Sequence, residues 1–399
     1  MIVIKDFKII RPRFEHPQHL LLEWLASQHA HAEQLQQGGA SEQGQDLKKT
    51  YLRYFQRYGC SPENIAFRST DVPEVGGLAV SEFGIYKLSR ENPSGADITA
   101  RMNLFSQTTL DVFREFYPEA TRAPDHLFHV TCSGYVSPSA AQILVSERKW
   151  GEDSVVGISH AYHMGCYSAL PTVRLGAAVL QSLSKILQPQ VDIVHTEMCT
   201  LHMNPADHSA QQLVIQSLFA DGHIKYSVGF ESKAQQAGVP GQKRVLEVLT
   251  IHERVLPGSV DAMTWQPAAW GFQMTLSREI PRLIAQNLQD FVQRVFENAG
   301  YPGLACSEGV KGVVFVIHPG GPKIIESIQD VLKLEQWQVA HSKEVLRDCG
   351  NMSSATVPHI WERIGNDGSL EEGTMIMTLA FGPGITIFGA LLRLVSGGG

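Results

Sequence analysis

Residues 312–334 read GVVFVIHPGGPKIIESIQDVLKL, and the order of their properties is strand, tight turn, helix. The run 313–317 is apolar at every position, as expected of a strand buried on both faces and not of one with a wet side. His318 stops the run, PGG turns too tightly for most residues, and Pro322 is tolerated near the start of the helix that follows. The same alternation extends outward. RLIAQNLQDFVQRVFENAG at 282–300 is a helix with an apolar stripe, ending at Gly300. GTMIMTLAFGPGITIFGALLRL at 373–394 reads as two strands around a Gly-Pro-Gly turn. In the first half, SVVGIS (154–159) is a buried strand and YSALPTVRLGAAVLQSLSKIL (167–187) a long helix with Pro171 in its first turn. VDIVHTEMC (191–199) and QQLVIQSLF (211–219) are the next strand and helix. Strand–helix alternation in both halves, with very apolar strands, predicts α/β layers around buried sheets. No short repeat is visible. The polar stretch QLQQGGASEQGQDLKK (34–49) reads as an exposed loop between helices and the closing SGGG as a frayed end.

The chain has 399 residues, 43% of them hydrophobic and 18% charged, enough for one large domain or two ordinary ones. A net charge of -7 leaves no electrostatic footprint for nucleic acid or an anionic membrane. MIVIKDFK turns charged after four positions, and no apolar run is long enough to span a bilayer, so a cytoplasmic protein is expected. The six cysteines (60, 132, 166, 199, 306 and 349) are scattered without a C-x-x-C pair, which suggests reduced thiols.

Three residues stand where α/β proteins place ligands. Cys166, in HMGCYSALP, lies between a strand and the start of a long helix, whose partial positive charge and free N–H groups favour a thiolate and could receive an oxyanion. His318 ends a buried strand. Asn351 sits in CGNMSSATV, a small-residue turn before a helix. Each has a plainer reading alone: a buried structural thiol, a strand-edge histidine, an asparagine bonded to its own turn. Cys199-x-x-His202 with His195 and His208 matches no zinc spacing and fits a strand with inward polar residues, so no metal is expected; no nucleotide-binding glycine motif follows a strand either. His29 and His31 read as solvated on a polar helix.

Together, HMGC (163–166), HPGGPKI (318–324), GNMSSA (350–355) and AFGPG (380–384) resemble the Cys, His and Asn motifs and Gly-rich terminal loop of type III polyketide synthases, the relatives of chalcone and stilbene synthases. The resemblance begins weakly near Tyr51 and is strong from Val130 onward. It implies a thiolase fold: two similar αβα halves, 1–235 carrying the Cys and 236–399 the His and Asn, forming a five-layered αβαβα core, usually as a homodimer without a cofactor. It implies Cys166 as nucleophile and acyl carrier, with His318 and Asn351 donating hydrogen bonds to the enolate left by decarboxylation of a malonyl thioester. His318 is also expected to pair with the Cys166 thiolate before acylation.

By the same resemblance Phe219 guards the entrance to the cavity, Met274 replaces a second gatekeeper that is Phe in chalcone synthases, and Glu197, Cys199, His202 and Ser353 contact substrate. Trp265 stands where many relatives have a small residue, and Ser137 where they place a Met that reaches the partner subunit. Of the basic residues that hold CoA phosphates in relatives, Arg57 is kept, while Tyr54 and Ser61 stand where Lys is usual. That departure points towards carrier-protein-bound acyl chains. The expected reaction is therefore condensation of an acyl-CoA or acyl-carrier thioester with a malonyl thioester to a small pyrone or resorcinol. The alternative joins two carrier-bound β-ketoacyl chains into an α-pyrone. A cysteine hydrolase would need a C-G-S-C-W-like nucleophile segment, which is absent. A silent acyl-binding subunit would not keep all three polar residues, and an initiating ketoacyl synthase would read N-T-S-A where this chain reads NMSSA. Starter, number of extensions and cyclisation depend on cavity shape.

Overall fold

A computed structural model describes residues 1–38, 44–77, 84–153, 156–183, 185–231, 243–305 and 307–397. Among these, nine strands form one sheet, in the order Val313–Ile317, Met375–Gly382, Thr386–Ser396, Arg244–Val255, Ile2–Ile10, Asp221–Phe230, Val191–Met198, His126–Thr131, Gly157–Tyr162. The sheet is two sheets joined at one seam, where Ile2–Ile10 meets Arg244–Val255 through only Val3 opposite Glu247 and Ile4 opposite Leu246. Outward from the seam each side repeats one pattern: an antiparallel pair, a second antiparallel pair, then a parallel pair. The first side adds one more parallel strand at its edge.

Alternation along the strands builds the layers, because successive side chains leave opposite faces. Val314 and Val316 face inward, onto one core with Val130, Ile193 and Val228 of the other side. Between them lie the helices Ala169–Ser182 and Thr356–Asn366, contributing Leu170, Val173, Ile360 and Trp361 to that core. Trp361 is fully buried, and its indole N–H donates to Thr378 Oγ1 at 3.0 Å. Truncating an aromatic of this kind typically costs about 3–5 kcal/mol. Val313, Phe315 and Ile317 face outward, under the helices Ile280–Asn298 and Pro322–Leu332. On the opposite outer face Leu127 and Val194 pack under the helix Ile98–Phe116. Helix, sheet, helix, sheet, helix is the layering the sequence resemblance implies.

Several local expectations change. The segment expected at 154–159 begins outside the described residues, and its strand is Gly157–Tyr162, the sheet's edge, where only Ala161 is buried. The long helix at 167–187 ends at Ser182. The polar stretch 34–49 is mostly helical: one helix runs to Gln37 and the next starts at Gly44, with 39–43 outside the described residues. The boundary expected at 235/236 also lies outside them. His29 is fully buried, not solvated: His208 lies 2.9 Å from its Nδ1 and the Gln216 Oε1 lies 3.1 Å from its Nε2. Cys199–His202 is a 3-10 turn past a strand, not part of one. Among the described residues no helix is long and apolar enough to cross a membrane.

Candidate active site

The ends of the parallel strands converge on one cavity of about 640 Å³, its open mouth included. Cys132 directly follows the strand His126–Thr131, Cys199 directly follows Val191–Met198, and Cys166 lies four residues past Gly157–Tyr162. All three line the cavity, as does Pro383 from just past Met375–Gly382. Strand C-termini are where an α/β sheet opens to a ligand. Ile215, Met203, Met263 and Met274 make much of the remaining wall apolar, and Phe219 closes the end of the helix Ala210–Leu218 against it.

The turn that presents Cys166 is shaped by the opposite half. Gly165 has φ +89°, and a Cβ there would meet the Pro383 ring at 2.4 Å. A Cβ on Gly382 would meet the Tyr167 ring at 2.1 Å. The Gly-Pro-Gly turn thus lies flat on the residues flanking Cys166, and neither surface has room for a side chain. The Gly165 N–H donates to Cys132 Sγ at 3.0 Å, and Trp265 Nε1–H donates to the Cys132 carbonyl at 2.7 Å. Cys132, which the sequence reading noted only in its cysteine count, therefore ties the Cys166 turn to Trp265. The signal available was its place immediately after an apolar strand.

The Cys166 sulfur lies 3.6 Å from Ser353 Oγ. Ser353 has φ +50°, an uncommon conformation for a residue with a side chain and one concentrated at functional sites. Burial pushes the Cys166 thiol up to about 12, outweighing the Ser353 hydrogen bond that favours the thiolate. Burial thus opposes the thiolate that the helix start was expected to favour.

His318 is 2% exposed and both its ring nitrogens are buried without a partner. Burial lowers its pKa to about 3, so the imidazole is neutral. It makes no hydrogen bond to Cys166, and the expected ion pair with a thiolate is absent. Its backbone N–H continues the strand ladder by donating to Leu379 O at 2.8 Å. Leaving two ring nitrogens unsatisfied costs free energy, a cost proteins accept mainly where a ligand completes the bonding. Asn351 Oδ1 accepts the Ser353 N–H at 2.9 Å, which leaves the amide NH2 as the free donor end. The local bond that reads as purely structural in the sequence thus sets the polarity of the side chain. Cys166 and Ser353 line the cavity; His318 and Asn351 do not.

The other expected residues divide. Phe219, Met274, Cys199, His202 and Trp265 all line the cavity. Trp265 and Met274 face each other across the hairpin Met263–Ala268/Gly271–Leu276. His202 accepts the Phe272 N–H at Nδ1 (3.0 Å) and so donates from Nε2 to Ser133 O (2.8 Å). Both nitrogens are used, and burial holds its pKa near 3. Glu197 is fully buried and outside the cavity wall. Its carboxylate accepts from Cys132 N at 3.0 Å, from Ser133 Oγ at 2.8 Å and from Ser354 Oγ, and burial still raises its pKa. Arg57 is exposed on the helix Gly44–Tyr58, its guanidinium over the Tyr58 ring, away from the cavity lining. Gln212 and Gln216, which the sequence reading missed, line the cavity from the helix Ala210–Leu218, one turn apart and without any motif to mark them.

Residues 247–396 match the family model of chalcone and stilbene synthases, C-terminal domain. A probable polyketide synthase 1 of Dictyostelium discoideum is 28% identical over 270 residues, 68% of this chain and 8% of that protein. Type III polyketide synthase A of Arabidopsis thaliana is 26% identical over 272 residues, 65% of this chain and 64% of the relative. The crystal structure of the C-terminal type III polyketide synthase domain of Steely1, a Dictyostelium type I/III hybrid, superposes with a TM-score of 0.76 at 22% identity and covers 99% of both chains. A brown-algal structure, PKS-I from Ectocarpus siliculosus, gives 0.76 at 21% identity over 98% of both. The last two share the fold along nearly the entire chain, which is the thiolase fold. The family model, the sequence relatives and the solved structures agree in making this chain similar to the type III polyketide synthases.

Proposed function

We propose that this protein condenses an acyl thioester with a malonyl thioester through an acyl group carried on Cys166. The observation that carries the reading is a thiol at the head of a helix, at the wall of an apolar cavity, with Ser353 Oγ 3.6 Å from its sulfur. Cys166 gives its proton to the neutral His318, and the sulfur attacks the acyl carbonyl as the donor thiol leaves. The malonyl carboxylate then departs as carbon dioxide. The negative charge passes to the thioester oxygen, where His318 and the Asn351 NH2 donate hydrogen bonds. The enolate carbon attacks the Cys166-bound carbonyl, a carbon–carbon bond forms and the cysteine sulfur leaves. The donor's carrier docks at the exposed surface of Arg57, Tyr54 and Tyr58. Incubation with an acyl thioester followed by digestion should place the acyl mass on the Cys166 peptide. Label on another cysteine, or condensation retained in Cys166→Ala, rules the assignment out.

The product is a small pyrone or resorcinol from few condensations, because an indole occupies the cavity wall and is pinned there. Trp265 Nε1 is bonded to Cys132 O, and the Trp265 carbonyl lies 2.9 Å from His163 Nε2. Trp265→Gly removes the ring and should shift products towards greater length by mass spectrometry. An unchanged product profile would show that the indole does not limit extension.

A further inference from the structure

The helix Ala210–Leu218 ends at the cavity with Phe219 as its cap, and the last carbonyls of any helix lack intrahelical partners. Here each has a donor. Ser217 O accepts from Gln18 Nε2 at 2.8 Å. Leu218 O accepts from the Asn351 N–H at 3.0 Å, and the Ala220 N–H returns a bond to Asn351 O at 2.9 Å, so Phe219 and Asn351 form a two-residue bridge. Gln216 O and Phe219 O both accept from one atom, Arg68 Nη1, at 2.8 and 2.7 Å. Arg68 is 1% exposed, and its Nε–H is held by Gln18 Oε1 at 2.7 Å. A cation at a helix C-terminus is favourable, and a guanidinium can serve two carbonyls and an amide oxygen at once where an ammonium of the same charge lacks the fork. The next link also rests on Arg68: a Cβ on Gly350 would lie 2.9 Å from Arg68 Cγ, so the turn before Asn351 packs directly on this side chain.

We propose that Arg68 is a positioning residue that fixes Phe219 and Asn351 as one unit, coupling the aromatic at the cavity end to the amide donor. Arg68 touches no reacting atom, so the coupling acts on the step that uses Asn351. It does not act on acylation of Cys166, which sits in the turn before another helix, Ala169–Ser182. The inference rests on the reading of Asn351 as an enolate donor.

In Arg68→Lys the charge stays and the fork is lost. Decarboxylation of a malonyl thioester should fall by about tenfold or more, since small misplacements at a reacting centre can cost about a hundredfold. Acyl loading of Cys166 should stay within about twofold of wild type, a split that general destabilisation would not produce. Amide hydrogen exchange at Ala220 and Asn351 should speed up while the helix Ala169–Ser182 keeps its protection. Gln18→Ala, which frees Arg68 Nε and Ser217 O, should show the same pattern more weakly and carries the test if Arg68→Lys does not fold. Unchanged exchange at those two amides overturns the proposal, as does a parallel decline of loading and decarboxylation. If the wild-type protein takes no acyl group on Cys166 the functional reading fails, while the exchange result still decides the role of Arg68.

Discussion

Replacing His318 or Asn351 by alanine should slow carbon dioxide release from a malonyl thioester by about a hundred- to thousandfold, the usual cost of removing one donor from an oxyanion site. In the proposed reaction both side chains serve as neutral donors. His318 is held neutral by burial, with two ring nitrogens that have no partner, as the proposed roles require. Asn351 has its oxygen occupied by the Ser353 N–H, so its NH2 is the end that remains. The two variants should differ elsewhere. His318→Ala also removes the proposed acceptor for the Cys166 proton, and since burial favours the thiol over the thiolate, acyl loading should fall as well. Asn351→Ala should load Cys166 at close to the wild-type rate and fail afterwards. A decarboxylation assay and a loading assay on each variant separate these outcomes. Wild-type decarboxylation in both variants would remove the shared enolate role, and equal loading in both would remove His318 as the base.

The strands and helices of the inner layers were legible because their signals are local. VVFVI is apolar at every position since both of its faces are covered, and Pro322 and the Gly-Pro-Gly turn punctuate the chain where the backbone turns. The turn carrying Cys166 was legible through the motif around it, and the reason for that motif is now visible: Gly165 and Gly382 are small because the two halves touch there. What stayed hidden depends on partners distant in sequence. His29 lies on a helix of polar composition, and its burial is decided by His208 and Gln216, contributed by a segment 179 or more residues away. Arg68 looks like any surface arginine until the helix Ala210–Leu218 is laid over it. Glu197 was placed in the cavity by resemblance, but donors from Cys132, Ser133 and Ser354 draw its carboxylate away from the wall. The burial that opposes a thiolate at Cys166 comes from residues distant in sequence, which the motif around it does not show.

Mild acid should unfold this protein sharply, near pH 5, with uptake of several protons. Six of the buried histidines are held neutral: burial lowers the pKa of His29, His129, His195, His202 and His318 to about 3 and that of His359 to about 4. In the unfolded chain each titrates near 6.5, so between that value and its folded value the unfolded state binds the extra proton. Their neutral forms therefore cost the fold nothing above about pH 7.5, and stability drains away as pH falls through 6.5. Each group loses about 1.4 kcal/mol per pH unit, and six together about 8 kcal/mol by pH 5.5, comparable with the 5–15 kcal/mol that holds a typical protein folded. Asp221 works in the opposite sense. Burial raises its carboxyl to about 7, so the fold takes up that proton more readily than the unfolded chain and gains about 2 kcal/mol over the same interval. Glu197 and Glu362, whose carboxyls burial also raises, act in the same sense as Asp221, and these three do not offset six. The check is a series of urea titrations from pH 8 to pH 5, where the slope of stability against pH counts the protons taken up on unfolding. His29→Gln, which removes one titrating group, should lower that count by about one and move the acid midpoint down. A midpoint below pH 4, or a slope worth fewer than about two protons, would mean that the buried imidazoles are charged or hydrated in the fold and that their neutrality, including that of His318, has been misread.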